Sequence, residues 1–186
     1  YFLPTVVPMV AVCLVWAWLY NPQYGLFNAL LRMAGLPIQQ FIQSGSQALA
    51  SISVVQIWYM FGYYAVILLA AMRGISPSLF EAADIDGAGA FVKFFRITLP
   101  MIKPNLVFVG IMSTISAFML FTPVDVLTMG RGTPGTSTMV LMLHIKTLGV
   151  QYGETGYTSA MSILLLVIIL TVSLIQWFLS RENKRS

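Results

Sequence analysis

Charged residues are scarce in this sequence, and that scarcity excludes most soluble folds. Only 9% of the 186 residues are Asp, Glu, Lys or Arg, whereas 58% are hydrophobic. Soluble domains carry about 25% charged residues. The chain has one Cys and one His, which is too few for an intrachain disulfide, a catalytic triad or a metal site built on such ligands. The composition therefore favours a membrane protein.

Long apolar runs are abundant instead. Four segments contain no Asp, Glu, Lys, Arg or His, and they cover residues 3–20, 48–72, 106–122 and 160–179. About 20 apolar residues in a helix cross a hydrocarbon core of about 30 Å. Because backbone polar groups in lipid must be paired inside the protein, such runs are expected to be helices. The sequence predicts an all-α, polytopic membrane helix bundle with a single transmembrane domain over residues 1–186.

The basic residues report the orientation of this bundle. They form no helical stripe, so a nucleic-acid partner is not expected. Seven of the ten lie in the connection 73–104 or in the C-terminal tail, namely Arg73, Lys93, Arg96, Lys103, Arg181, Lys184 and Arg185. By the positive-inside rule, both segments are expected in the cytoplasm, with 21–47 and 123–159 outside. The C-terminus is predicted to be cytoplasmic.

The connection 73–104 is patterned like a helical hairpin. Ser76-Pro77-Ser78 favours a helix start, and that helix is expected to run to about Asp86. Gly87 suits the left-handed residue that ends a helix. A second short helix is predicted over Phe91 to Ile97, ended by Leu99-Pro100. An apolar flank on the first helix suits docking into a groove on a partner, and it comprises Leu79, Phe80 and Ala83.

The hairpin resembles the EAA loop of binding-protein-dependent ABC importer permeases. The matching residues are Glu81-Ala82-Ala83, then Gly87, then Ile97-Thr98-Leu99-Pro100 after nine further residues. The resemblance extends over nearly the whole chain and points to the carbohydrate-uptake branch, related to maltose, lactose and glycerol-phosphate permeases. Its marks are FLPTVVPMVAVCLVWAWLYNPQYGLFNALL, IWYMFGYYAVILLAAMRGISPSLFEAADIDGA and GYTSAMSILLL.

This resemblance implies a fold, partners and a location. The fold is the MetI-like permease core, and the chain resembles the last four helices of six, so upstream helices are expected. The implied partners are ATP-binding-cassette ATPase subunits, a second homologous permease, an extracytoplasmic solute-binding protein and membrane lipid. The implied cargo is a sugar, polyol or sugar phosphate, carried across a bacterial or archaeal cytoplasmic membrane. No cofactor is expected, and ATP hydrolysis is assigned to the partner subunit.

The resemblance also implies the roles of the hairpin residues. Leu79, Phe80, Glu81, Ala82, Ala83 and Gly87, with Ile97, Leu99 and Pro100, are expected to couple the ATPase to transport. A structural alternative for Glu81 is a charge near the positive end of a helix dipole. The outer stretch Leu127 to Pro134 departs from the family pattern Leu-Thr-x-Gly-Gly-Pro.

Polar residues inside two of the spans form a candidate solute path. Gln56, Tyr59 and Tyr63 recur on one side of the second span, and Ser113 and Ser116 recur on the third. Aromatic faces, amides and hydroxyls are the groups that bind sugars. The alternative is that these side chains only hydrogen-bond neighbouring helices.

Two other functional classes are alternatives to an ATP-driven importer. A channel or ion-coupled carrier would work without an ATPase, but a carrier needs ionisable residues inside its spans. A membrane phosphotransferase is suggested by Asp84-Ile85-Asp86-Gly87, although its usual Ala-Arg continuation is absent. Asp125 is expected to be an interfacial cap and His144 a surface residue rather than a metal ligand. No Gly-Lys-Ser/Thr phosphate loop is present, so ATP is expected to bind another polypeptide.

Overall fold

The backbone of the described residues is helical. A computed structural model describes residues 2–182, with side chains through Ser180, and this part of the chain contains helices and turns but no strand. The tail residues Lys184 and Arg185, and the side chain of Arg181, lie outside the description. The predicted all-α fold is confirmed.

The helices follow one another with short connections. In chain order they are α1 (Met9–Leu19), α2 (Leu26–Met33), α3 (Ala48–Arg73), α4 (Pro77–Ile85), α5 (Ala90–Lys93), α6 (Leu99–Met101), α7 (Lys103–Phe118), α8 (Thr122–Leu127), α9 (Leu141–Lys146) and α10 (Thr155–Glu182). Turns of 3₁₀-helix lie at Leu3–Val6 and Phe41–Gln43, and π-helical turns lie at Phe94–Thr98 and Thr147–Gln151. Helix α10 packs along α7, and α3 contacts both α7 and α8.

Three helical segments are long and apolar enough to cross a membrane. They are Ala48–Arg73, Lys103–Leu127 and Thr155–Ser180, and they overlap the apolar runs 48–72, 106–122 and 160–179. Only 11–17% of the residues in their apolar windows are buried within the described chain. Most of the surface of these helices is therefore available to lipid or to other helices.

The first apolar run, predicted as one helix over 3–20, is interrupted. Val7 and Pro8 are extended, with ψ of 138° and 130°, and α1 has 11 residues. A helix of that length rises only about 16 Å. Proline lacks an N–H and disfavours helical geometry in the preceding residue, which explains the break. The Tyr59 hydroxyl donates to the carbonyl oxygen of Val7 at 3.2 Å.

The aromatic residues at the end of the first run pack mainly against the rest of the chain. Trp16 and Tyr20 are buried in a cluster with Val12 and Val55, and only Trp18 is exposed. Trp16 and Tyr20 are four residues apart and therefore share one helix face. That face is covered by rings from α2 and from the turn before α3, namely Phe27 and Phe41.

The outer connection is held by one buried side chain. Asn28 on α2 is fully buried, and its amide nitrogen donates to the carbonyl oxygens of Gln39 at 2.8 Å and Pro22 at 3.3 Å. Its amide oxygen accepts a hydrogen bond from the Gln39 N–H at 2.9 Å. Asn28 therefore satisfies backbone groups on both sides of α2.

Replacing Asn28 should destabilise the outer connection. In Asn28→Leu, the Gln39 amide and carbonyl groups lose their partner, and each buried unsatisfied group costs about 1–3 kcal/mol. We expect a lower thermal unfolding temperature in detergent. Gln43→Ala is the control, because Gln43 is exposed and forms no side-chain hydrogen bond in the described part of the chain. Equal unfolding temperatures for the two variants would contradict the assigned role of Asn28.

Candidate solute cavity and coupling hairpin

A cavity of about 400 Å³ lies among α1, α3, α7 and the start of α8. Four of the five predicted path residues line it, namely Gln56, Tyr59, Tyr63 and Ser116. The other lining residues are Met9, Met60, Tyr64, Met112, Ile115, Met119, Leu120, Phe121, Thr122 and Pro123. The volume is within the range of small-molecule sites, which is roughly 300–1,000 Å³.

A hydrogen bond ties two walls of this cavity together. The amide nitrogen of Gln56 donates to the Ser116 hydroxyl oxygen at 3.2 Å, which joins α3 to α7. The Gln56 amide oxygen has no hydrogen-bond partner within residues 2–182. The cavity therefore offers a free amide acceptor beside tyrosine rings and a hydroxyl group.

Two residues differ from the prediction. Ser113 does not line this cavity, and its hydroxyl donates to the Gly110 carbonyl oxygen on its own helix at 2.9 Å. It lines a neighbouring cavity of about 590 Å³. Tyr64, which lines both cavities, was missed by the sequence reasoning. Its position eight residues after Gln56 continues the same helical stripe, so the periodicity contained the signal.

The cavity is uncharged. No Asp, Glu, Lys, Arg or His lines it. A larger open groove of about 850 Å³ between α1, α2 and α3 is mostly apolar and contains none of the predicted path residues. The smaller cavity is therefore the better candidate for a polar solute, and its lining suits a neutral one.

The hairpin predicted over 73–104 is present, and its first arm is α4. Glu81 is exposed, lies beyond the first turn of α4, and has no hydrogen-bond or ion-pair partner among the described residues. The helix-dipole explanation for Glu81 is therefore not supported. Leu79 is exposed beside Ala82, and Phe80 and Ala83 are partly buried. Lys93 on the second arm forms an ion pair with Asp84, which links the two arms.

Gly87 ends the first arm as predicted. Its φ is +74°, and an added Cβ would have no atom within 4 Å. The only obstacle to a side chain at this position is thus the left-handed backbone itself, which glycine adopts without steric cost.

The second arm differs from the prediction. The expected end of the helix at Leu99-Pro100 does not occur, because the helical backbone continues through α5, the π-helical turn Phe94–Thr98 and α6. Pro100 lacks the N–H that would bond the Arg96 carbonyl oxygen in an α-helix, and a wider turn precedes it. Ile97 and Leu99 are partly buried and Pro100 is exposed.

Comparison with known proteins agrees with this architecture. The chain is 34% identical over 171 residues to the sulfoquinovosyl glycerol transport system permease protein SmoG of Agrobacterium fabrum, covering 92% of this chain and 55% of that protein. It is 34% identical over 173 residues to the trehalose/maltose transport system permease protein MalF of Thermococcus litoralis, covering 93% and 58%. The lactose transport system permease protein LacF of Rhizobium radiobacter is 32% identical, with 98% and 62% covered.

Solved structures give the same result for the fold. A bacterial ABC transporter that imports the acidic polysaccharide alginate superposes with a TM-score of 0.85 at 26% identity, covering 97% of this chain and 63% of that chain. The alginate transporter in complex with its pentasaccharide-bound periplasmic protein gives a TM-score of 0.86 at 26% identity, with 100% and 64% covered. This chain spans slightly more than half of the length of these relatives.

The fold defines a polytopic helical membrane protein. Residues 1–185 match the family described as the binding-protein-dependent transport system inner membrane component. The chain belongs to this family, and the predicted resemblance and fold class are confirmed. The family is one of transport-system membrane components, so the phosphotransferase alternative is not supported.

The glycine that ends α4 provides a test of the hairpin geometry. Gly87→Ala forces a left-handed backbone on alanine, at a cost of about 1–2 kcal/mol. We expect faster hydrogen exchange at the backbone amides of residues 82–88. Gly89→Ala is the matched control, because Gly89 has φ of −67° and open space around it. The same exchange rates in both variants would show that the left-handed turn is not needed.

Proposed function

We propose that the chain forms part of the translocation subunit of an ATP-binding-cassette importer for a sugar or a related polyol or sugar phosphate. The observation that carries this proposal is the family match over residues 1–185, together with relatives named for the transport of maltose, lactose and a sulfoquinovosyl glycerol. The subunit itself hydrolyses no ATP in this proposal. A separate ATPase drives it.

The hairpin is the proposed contact with the ATPase. Leu79, Glu81 and Ala82 are exposed on α4, and no described residue pairs with the Glu81 carboxylate. A short rigid helix with an apolar flank and a free carboxylate suits a groove on a partner protein. The hairpin connects α3 directly to α7, so its displacement would move both helices that contribute to the cavity.

The solute path is proposed to run through the cavity between α3 and α7. Tyr63 and Tyr64 offer aromatic rings for a sugar ring, and Gln56 and Ser116 offer hydrogen bonds to its hydroxyls. An uncharged lining favours a neutral sugar over a sugar phosphate, because a phosphate buried without a cation would lose its hydration uncompensated.

The remaining parts of the importer follow from the same proposal. In this proposal the hairpin and the C-terminus lie in the cytoplasm, because most of the basic residues lie in the connection 73–104 and in the C-terminal tail. A second homologous permease completes the path, and an extracytoplasmic solute-binding protein delivers the sugar to the outer side. A periplasmic protein with bound pentasaccharide accompanies the alginate importer, which supports such a partner here.

An ion-coupled carrier finds little support. A carrier must bind and release an ion at an ionisable group within its spans. Asp125 near the outer end of Lys103–Leu127 is the one acidic residue in the three described candidate spans. Its carboxylate is paired with the Lys146 amino group at 2.7 Å, so its charge is already neutralised.

Reversing the charge of Glu81 should uncouple transport from ATP hydrolysis. In Glu81→Lys, a buried charge contact with the ATPase would be lost, and we expect uptake in proteoliposomes to fall about tenfold or more. Basal ATPase activity should persist, and only its stimulation by solute should be lost. Asp86→Lys is the control, since Asp86 is exposed on the same hairpin and undergoes the same charge change. Wild-type uptake by the Glu81 variant would refute the coupling role.

Removing the amide of Gln56 should reduce the rate of solute uptake. In Gln56→Leu, shape is largely kept but hydrogen bonding is lost, and we expect uptake to fall about fivefold to tenfold, as for the loss of one or two hydrogen bonds. Ser53→Ala is the control on the same helix, because the Ser53 hydroxyl bonds only to the Leu49 carbonyl oxygen. The affinity of the binding protein is verified separately. Unchanged uptake in the Gln56 variant would then show that the cavity is not part of the solute path.

A further inference from the structure

The second arm of the hairpin carries a cluster of exposed aromatic side chains that the coupling role does not use. Phe91, Phe94 and Phe95 are 77%, 43% and 49% exposed. The ring centroids of Phe91 and Phe95 are 4.6 Å apart, and those of Phe94 and Phe95 are 5.1 Å apart. The three rings thus form one continuous apolar surface, which we call the phenylalanine patch.

The two arms of the hairpin are oppositely charged. Residues 75–89 contain three acidic residues and no basic residue, whereas residues 90–103 contain three basic residues and no acidic residue. Arg96, in the π-helical turn beside the patch, is exposed and has no hydrogen-bond or ion-pair partner within residues 2–182. The arm that carries the patch is therefore the one that a negatively charged surface would attract.

The position of the patch along the chain places it near the membrane boundary. The span Lys103–Leu127 begins with a lysine, and long basic side chains at the ends of membrane helices extend to the interface. Its first residues therefore reach the headgroup level. Phe95 lies eight residues before Lys103, which corresponds to at most about 12 Å of helix.

We propose that the phenylalanine patch rests in the interfacial layer of the bilayer and that Arg96 binds the headgroups of anionic lipids. Aromatic rings beside basic residues on a short interfacial helix are the composition of a surface-bound membrane segment. The acidic arm, α4, is repelled by the same lipids and projects toward the aqueous phase. The lipid surface thereby orients the hairpin, with α4 presented to a protein partner.

This inference rests on the membrane location of the chain but not on the identity of its solute or on coupling to an ATPase. It also does not require that the hairpin be cytoplasmic, because a nanodisc exposes both faces of a bilayer. A failed lipid contact and a failed coupling role would therefore be separate results.

Site-specific fluorescence tests the lipid contact. The full-length permease, with Cys13→Ala, is labelled with an environment-sensitive fluorophore at Phe91→Cys or at Ile85→Cys and placed in phosphatidylglycerol-containing nanodiscs with and without its ATPase. Ile85 is the matched control, an apolar residue of the first arm that is 88% exposed. At position 91 we expect quenching by spin-labelled lipid and loss of quenching by aqueous iodide, with or without the ATPase. At position 85 we expect iodide quenching without the ATPase.

Three results would overturn the proposal. Equal iodide quenching at both positions without the ATPase would place the patch in water. Protection of position 91 only after the ATPase is added would make the patch a protein-docking surface. Protection from both quenchers without the ATPase would mean that another permease helix covers it.

The anionic preference is tested by replacing the arginine. For the label at position 91, the ratio of quenching by spin-labelled phosphatidylglycerol to quenching by spin-labelled phosphatidylcholine should fall up to about fivefold in Arg96→Gln. Arg131→Gln, which removes an exposed arginine from the outer connection, should leave the ratio unchanged. An unchanged ratio in the Arg96 variant would refute headgroup binding by Arg96.

Discussion

The pairing of backbone N–H and C=O groups inside an apolar layer is the constraint on which this structure depends. Unpaired groups cost several kcal/mol there, so a chain crosses the layer as helix and is interrupted only where something else pairs the backbone or where a cavity opens. Both interruptions in the described apolar segments border the same cavity. One is the break before α1, where Tyr59 donates to the Val7 carbonyl oxygen, and the other is the break between α7 and α8 at Met119–Phe121. The candidate path thus lies where the helices cannot be continuous.

Proline accounts for the break before α1, and the placement of prolines explains much of what could be predicted from the sequence. The spans around α3 and α10 contain no proline, and their helices match the predicted runs closely. The first run contains Pro8, and the prediction of a single helix was wrong there because proline disfavours helical backbone geometry at Val7. At Pro100 the prediction was wrong in the opposite direction. A helix end was expected there, but the helical backbone continues because a wider turn accommodates the missing N–H. Run length predicts the helices, whereas packing decides whether a proline ends one.

The candidate site was predictable to the extent that it follows helical periodicity. The stripe of α3 residues that begins at Gln56 lines the cavity. The same helical periodicity extends to Tyr64, which follows Tyr63, the last predicted member of the stripe. Ser113 could not be separated from Ser116 by sequence, because both are serines on α7. The Ser113 hydroxyl donates to a carbonyl oxygen of its own helix, whereas the Ser116 hydroxyl oxygen accepts a hydrogen bond from Gln56 on α3. Asn28 was likewise hidden, since its partners are backbone groups 6 and 11 residues away, brought together only by the fold.

The bond between Gln56 and Ser116 connects the hairpin's proposed motion to the cavity. It joins α3 to α7, the two helices from which the hairpin emerges, and Ile75 and Ile102 at the two roots of the hairpin are buried. A rigid displacement of the hairpin would therefore be transmitted to both helices rather than absorbed at the roots. A neutral hydrogen bond contributes only about 1 kcal/mol net, so separating the helices at this point costs little free energy. A sugar hydroxyl could replace either partner as the helices part, which would stabilise the open arrangement when solute is present.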